Sequence, residues 1–113
     1  MTNKGICVRL WDNGGMVYSR PSEALAAHAE EVKSLLGSAG MRNVRVFGSI
    51  ARGEDTPTSD VDLLVDFAPG TNGLDVADAW AHLVEILGFS VDIVSPDKLK
   101  PRYRKILNEA VAL

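Results

Sequence analysis

Cysteine is almost missing from this sequence. The single Cys7 among 113 residues excludes an internal disulfide and any multi-cysteine metal knuckle. Long apolar runs are missing too. None approaches the roughly 18 residues of a membrane span, and residues 1–20 hold no signal-peptide stretch. The expectation is a soluble, cytoplasmic protein that makes no membrane contact. Basic charge is not in excess, because 12 Lys and Arg stand against 15 Asp and Glu, a net charge of −3. A mildly acidic chain is a poor ligand for phosphate backbones, so direct nucleic-acid binding is disfavoured. The two histidines, His28 and His82, lack the spacing of a metal pair and read as partly exposed helix residues. Nor does the chain show the low hydrophobicity of a disordered segment, being 46% hydrophobic and 24% charged. Its length suits one domain, with a core that buries roughly two-thirds of the unfolded surface.

Charge is distributed unevenly. From Glu54 to Asp97 there are ten acidic residues and no Lys or Arg. Lys98, Lys100, Arg102, Arg104 and Lys105 then follow closely. That basic run reads as a solvated helix face, with a docking patch for phosphate or an acidic surface as the alternative. Asp75, Asp78 and Glu85 read as ordinary solvated acids. An acidic block interrupted by apolar strand sequence is different, because carboxylates forced together by a fold need cations that the chain does not supply locally.

Residues 1–19 form a poorly specified N-terminal extension, in which Gly5 to Trp11 could be a short strand before the Asp12-Asn13-Gly14-Gly15 turn. A domain is expected over residues 20–113. Ser22 is placed to cap a helix carrying Leu25, Ala29, Val32 and Leu36 on one face, stopped by Gly37 to Gly40. Val44, Val46 and Phe47 make a short strand that ends at Gly48. Val61 to Phe67 is a second strand and Phe89 to Val94 a third. Between them, Val76, Trp80, Leu83, Val84 and Leu87 define a helix, with Trp80 expected in the core. Ile106, Leu107, Ala110 and Val111 form the stripe of a closing helix that Pro101 suits at its first turn. The fold class is α/β (α+β): a small mixed sheet of about three strands with helices mainly on one face.

Chemistry concentrates in three places. Gly48-Ser49-Ile50-Ala51-Arg52-Gly53 follows a strand directly, so a glycine lets backbone approach a ligand and Ser49 adds a hydroxyl donor. A simple Gly-Ser turn is the equal alternative at this point. Arg52 either contacts phosphate or pairs with a neighbouring acid. In Ser59-Asp60-Val61-Asp62-Leu63-Leu64-Val65-Asp66, strand alternation projects Asp60 and Asp62 together, with Val61, Leu63 and Val65 opposite. Asp66 lies farther along the same face and reads as a strand-end hydrogen-bonding group. Asp92, flanked by Val91 and Ile93, completes a cluster if the third strand pairs beside the second. Hard oxygen ligands with no His or Cys nearby suit Mg²⁺ or Mn²⁺ rather than Zn²⁺. Three acids together with substrate phosphates can hold two such ions about 3.5–4 Å apart.

The pattern Gly48-Ser49, then Ser59-Asp60-Val61-Asp62, then Asp92 resembles the G-S…D-x-D…D signature of the polymerase β-like nucleotidyltransferases. The stretch Val44 to Phe67 is similar in particular to the minimal nucleotidyltransferase family, and the likeness runs from about Arg20 to Leu113. That resemblance implies a palm-like nucleotidyltransferase fold. It implies catalytic, metal-holding Asp60, Asp62 and Asp92, and nucleotide contacts from Gly48, Ser49 and Arg52. It further implies Mg²⁺, with ATP as substrate. Such proteins are commonly antitoxins, partnered by a HEPN-domain ribonuclease toxin on which they place AMP at a tyrosine. Two alternatives remain: an antitoxin that inhibits by binding alone, and the catalytic subunit of a small-molecule nucleotidyltransferase.

Overall fold

The structure is a computed structural model that describes residues 9–10, 16–96 and 104–113. Two short strands, β1 (Arg9–Leu10) and β2 (Met16–Val17), pair antiparallel. Helices α1 (Pro21–Ala27) and α2 (Ala29–Ser38) follow, then β3 (Met41–Phe47) and the single-turn α3 (Ser49–Arg52). Next come β4 (Val61–Phe67), α4 (Gly73–Leu87) and β5 (Val91–Val94). The chain closes with α5 (Arg104–Glu109) and β6 (Val111–Ala112).

The main sheet has four strands rather than the three expected, in the order β5-β4-β3-β6. The additional strand is β6, which pairs antiparallel with β3 through Arg45 opposite Ala112 and Val46 opposite Val111. Val111 therefore belongs to a strand and not to the closing helix. The expected stripe on that helix is not a buried face, since Leu107 and Val111 are both exposed. β3 and β4 are antiparallel, whereas β4 and β5 are parallel, so the sheet is mixed as expected.

One face of the sheet carries the core. Val61, Leu63 and Val65 of β4 are fully buried and cluster with Ala24 and Leu25 of α1, Val32 and Leu36 of α2, and Ala79, Leu83 and Leu87 of α4. The alternation of β4 thus sends Val61, Leu63 and Val65 to the helices and Asp62, Leu64 and Asp66 to the other face.

Helix ends follow local chemistry, with one correction. Asn72 caps α4, its side-chain oxygen accepting the Leu74 N–H at 2.8 Å, and Gly88 ends that helix at φ 77°. Ser22 is not the cap of α1. Pro21 takes the first helical position, Arg20 is the N-cap, and Glu23 accepts the Arg20 backbone N–H. The Ser22 N–H instead donates to the buried Asp55, at 2.9 Å. The single helix expected over this region is divided at His28, whose imidazole contacts Glu31 and sits edge-on to Tyr18.

Trp80 is also corrected: it is 45% exposed, lying over β5 with its indole N–H donating to the Val91 carbonyl at 2.7 Å. Cys7, Trp11, Tyr103 and most of the basic run fall outside the described residues; Arg104 and Lys105 are exposed. No helix among the described residues is long and apolar enough to cross a membrane. Because Leu63 is fully buried in a central strand, Leu63→Ala is expected to lower unfolding free energy by about 2–5 kcal/mol in denaturant titration.

Candidate active site

The site forms at one end of the sheet, and strand direction is what gathers it. Antiparallel pairing brings the end of β3 to the start of β4, with Phe47 opposite Asp62. Parallel pairing then brings the start of β5 to the same place, with Asp62 opposite Asp92. The Ser90 carbonyl accepts the Val61 N–H at 2.8 Å and fixes that register from its first residue. Asp60 immediately precedes β4 and is exposed, Asp62 is half-buried, and Asp92 is exposed.

Gly48 follows directly on β3 at φ 75° and ψ −150°, a conformation that side chains other than hydrogen rarely adopt. Its open side faces the Asp62 carboxylate, and a Cβ built on Gly48 would collide with Asp62 Oδ2. Glycine is required here by both backbone conformation and close approach. The turn and the paired acids are thus one packed unit. Ser49 opens α3 and is partly buried.

Electrostatics reflect that crowding. Burial pushes the Asp62 carboxyl up to about 6, and the neighbouring Asp92 and Asp60 carboxylates push in the same direction, against a smaller opposing pull from Arg52. Hard oxygen donors crowded at a sheet end, with a half-buried member that resists ionising alone, fit a divalent cation such as Mg²⁺. Among the described residues no three such side chains already enclose an ion by themselves. Substrate phosphate oxygens would therefore have to complete any coordination shell.

The other expected residues sort as follows. Arg52 is exposed and donates from Nε to Glu54 at 2.9 Å and from Nη1 to both carboxylate oxygens of Glu109 at 3.1 and 3.2 Å. The Asp66 carboxylate accepts from Asn43 at 3.0 Å and Arg45 at 2.9 Å, as a strand-end hydrogen-bonding group should.

Two participants escaped sequence reasoning. Asp55 ties the loop before Asp60 to the start of α1, across 33 residues of sequence. Glu109 accepts the Gly48 N–H at 3.1 Å from 61 residues away. Burial works against its ionisation, but Gly48 and Arg52 overcome that and hold the Glu109 carboxyl below its ordinary value. No local pattern marks either residue, since both act through contacts formed only on folding.

A nucleotidyltransferase domain family model matches residues 25–113. The chain belongs to that family, and the enzyme class so defined is nucleotidyltransferase. The protein adenylyltransferase MntA of Thermococcus cleftensis is 39% identical over 88 residues, which cover 77% of this chain and 86% of that protein. A solved structure described as a candidate minimal nucleotidyltransferase superposes with a TM-score of 0.73 at 48% identity, covering 81% of this chain and 95% of that one. A toxin–antitoxin complex with AMP-PNP shares the fold at a TM-score of 0.61 and 19% identity, covering 74% and 69%.

Two outcomes are expected. Gly48→Ala should cost about 1–3 kcal/mol in chemical denaturation, because it combines left-handed strain with the collision at Asp62. Asp62→Asn should behave in the opposite way. With its carboxyl at about 6 in the folded chain against an ordinary 3.8, the folded state binds the Asp62 proton more tightly than the unfolded state. Stabilisation from that proton is whole below about pH 4 and is lost as pH rises through 6. Removing the charge should therefore raise metal-free stability at pH 7.5 by about 1 kcal/mol, allowing for solvent screening. A melting-temperature gain of about 4 °C at pH 7.5 that vanishes at pH 4 is the expected calorimetric result.

Proposed function

We propose that this chain transfers AMP from ATP to a hydroxyl, a tyrosine by family resemblance, on a HEPN-domain ribonuclease toxin, and so acts as its antitoxin. The observation that carries the reading is the alignment of Asp62 with Asp92 beside the Gly48–Ser49 turn. The identity with a protein adenylyltransferase, 39% over 88 residues, supports a protein acceptor. The space beside Asp92 supports it as well. It is an open groove of about 480 Å³, lined by Val76, Trp80, Val91 and Ile93 among others, and not a closed chamber for a small acceptor.

In this reading Gly48 and Ser49 grip the triphosphate, with Arg52 offering further donors to it. Asp60, Asp62 and Asp92 would hold Mg²⁺, which when bound neutralises charge on the phosphates and on the attacking oxygen. Asp92 accepts the proton of the acceptor hydroxyl as that oxygen bonds to the α-phosphorus. The bond from the α-phosphorus to its bridging oxygen breaks in line, and pyrophosphate leaves. The chain contributes positioning and fixed charge, which is where catalysis of phosphoryl-type transfer resides.

Incubation of the partner with the chain, ATP and Mg²⁺ should add about 329 Da per AMP in intact mass spectrometry. The double substitution Asp60→Asn with Asp62→Asn should remove the gain while a normal melting transition is retained. A partner that is inhibited yet never gains mass would instead make the chain a binding antitoxin. Transfer that survives the double substitution would remove the acids from the metal site.

A further inference from the structure

The contact between Glu109 and the glycine turn has an unusual composition. Glu109 accepts the Gly48 N–H at 3.1 Å and both of its oxygens accept from Arg52 Nη1. These donors belong to the turn and arginine that the proposed function gives to the nucleotide. We propose that Glu109 is an internal competitor for nucleotide phosphate, held on the turn in the nucleotide-free chain and displaced when a triphosphate binds.

A carboxylate and a phosphate oxygen are equivalent acceptors for a backbone N–H or a guanidinium, and both gain from charge-assisted hydrogen bonds. The Gly48 N–H carries one hydrogen, so a phosphate oxygen and Glu109 cannot both take it at full strength. Arg52 is engaged similarly, its Nε by Glu54 and its Nη1 by Glu109. A triphosphate arriving at this turn meets those two carboxylates as like charges. Binding is therefore an exchange of anions on existing donors.

The contact is not needed to pin the C-terminal segment. Main-chain pairing of β6 with β3 already does so, through Arg45 with Ala112 and Val46 with Val111. The Leu113 N–H adds a further bond to the Val44 carbonyl at 3.1 Å. Release of Glu109 then calls for movement of one side chain that is only partly buried, while the strand beneath it stays paired. By this account the chain screens weak anions: a ligand has to outcompete a tethered carboxylate, which a multiply charged triphosphate can do and a single phosphate does less well.

The inference rests on assigning Gly48, Ser49 and Arg52 to phosphate, and the test separates the two ideas. Binding of AMP-PNP with Mg²⁺ to the full chain would be measured by titration calorimetry, for the parent, Glu109→Gln, Glu109→Ala and Ser49→Ala. Both Glu109 variants should bind about three- to tenfold more tightly, and Ser49→Ala more weakly than the parent. Inorganic phosphate should gain by about the same factor as AMP-PNP from loss of Glu109, because both displace the same carboxylate. Unchanged or weaker AMP-PNP binding by Glu109→Gln, with a parental melting temperature, overturns the competitor role. If Ser49→Ala still weakens binding in that case, the phosphate assignment stands alone. Parental binding by Ser49→Ala with tighter binding by Glu109→Gln would remove Ser49 alone from the phosphate site, and parental binding by both would overturn the phosphate assignment and the competitor role together.

Discussion

Parallel pairing of β4 with β5 sets Asp62 directly opposite Asp92, and much else in the chain follows from holding two carboxylates there. Left alone, such a sheet end would relax by shifting or fraying. It cannot shift, because a one-residue slip of β4 would turn Val61, Leu63 and Val65 out of the helix-covered core and drive Asp62 in. Burial of those three side chains thus provides the free energy that holds the acids in register. The crowding is expressed in Asp62, whose carboxyl is pushed up to about 6. Gly48 belongs to the same constraint, since its missing side chain leaves the space in which the Asp62 carboxylate lies.

What could be read from sequence was whatever obeys a local period or a local steric rule. The alternation from Val61 to Phe67 gave both the strand and the side on which its acids project. Gly48 after a β-branched strand marked the turn, and the 3.6-residue spacing from Val76 to Leu87 marked α4. Two-residue strands have no period to read. β6 therefore passed for the end of a helix, because Ile106, Leu107, Ala110 and Val111 also fit helical spacing. Trp80 fits the apolar stripe of α4 by position, yet its indole finds the Val91 carbonyl at the surface. An amphipathic ring with one N–H to satisfy is well suited to that boundary. α1 starts ahead of Ser22 because Pro21 takes the first helical position and Glu23 accepts the Arg20 N–H, while the partner of the Ser22 N–H, Asp55, comes from a distant loop.

Glu109 shows the same limit at the site itself. Nothing near Glu109 in sequence distinguishes it from a solvated helix acid. Its role arises because β6 returns to β3 and sets α5 beside the glycine turn. Long-range antiparallel return of a chain end is a property of topology, and residue types around position 109 carry no trace of it.

The nine acids of the block that are described, Glu54 to Asp92, can now be sorted by what neutralises each. Glu54 takes Arg52, Asp55 takes the Ser22 N–H, and Asp66 takes Arg45 and Asn43. Each of these partners lies outside the block: Arg52 stands just before it, and folding brings Ser22, Asn43 and Arg45 from farther away. Asp75, Asp78 and Glu85 are exposed on α4, where water suffices. Asp60, Asp62 and Asp92 remain, and among the described residues none of them enters an ion pair. Arg52, a cation near enough to be felt by Asp62, is held by Glu54 and Glu109 instead. Among the described residues the other crowded acids find a cation or a donor and these three do not, a charge balance that fits a divalent cation.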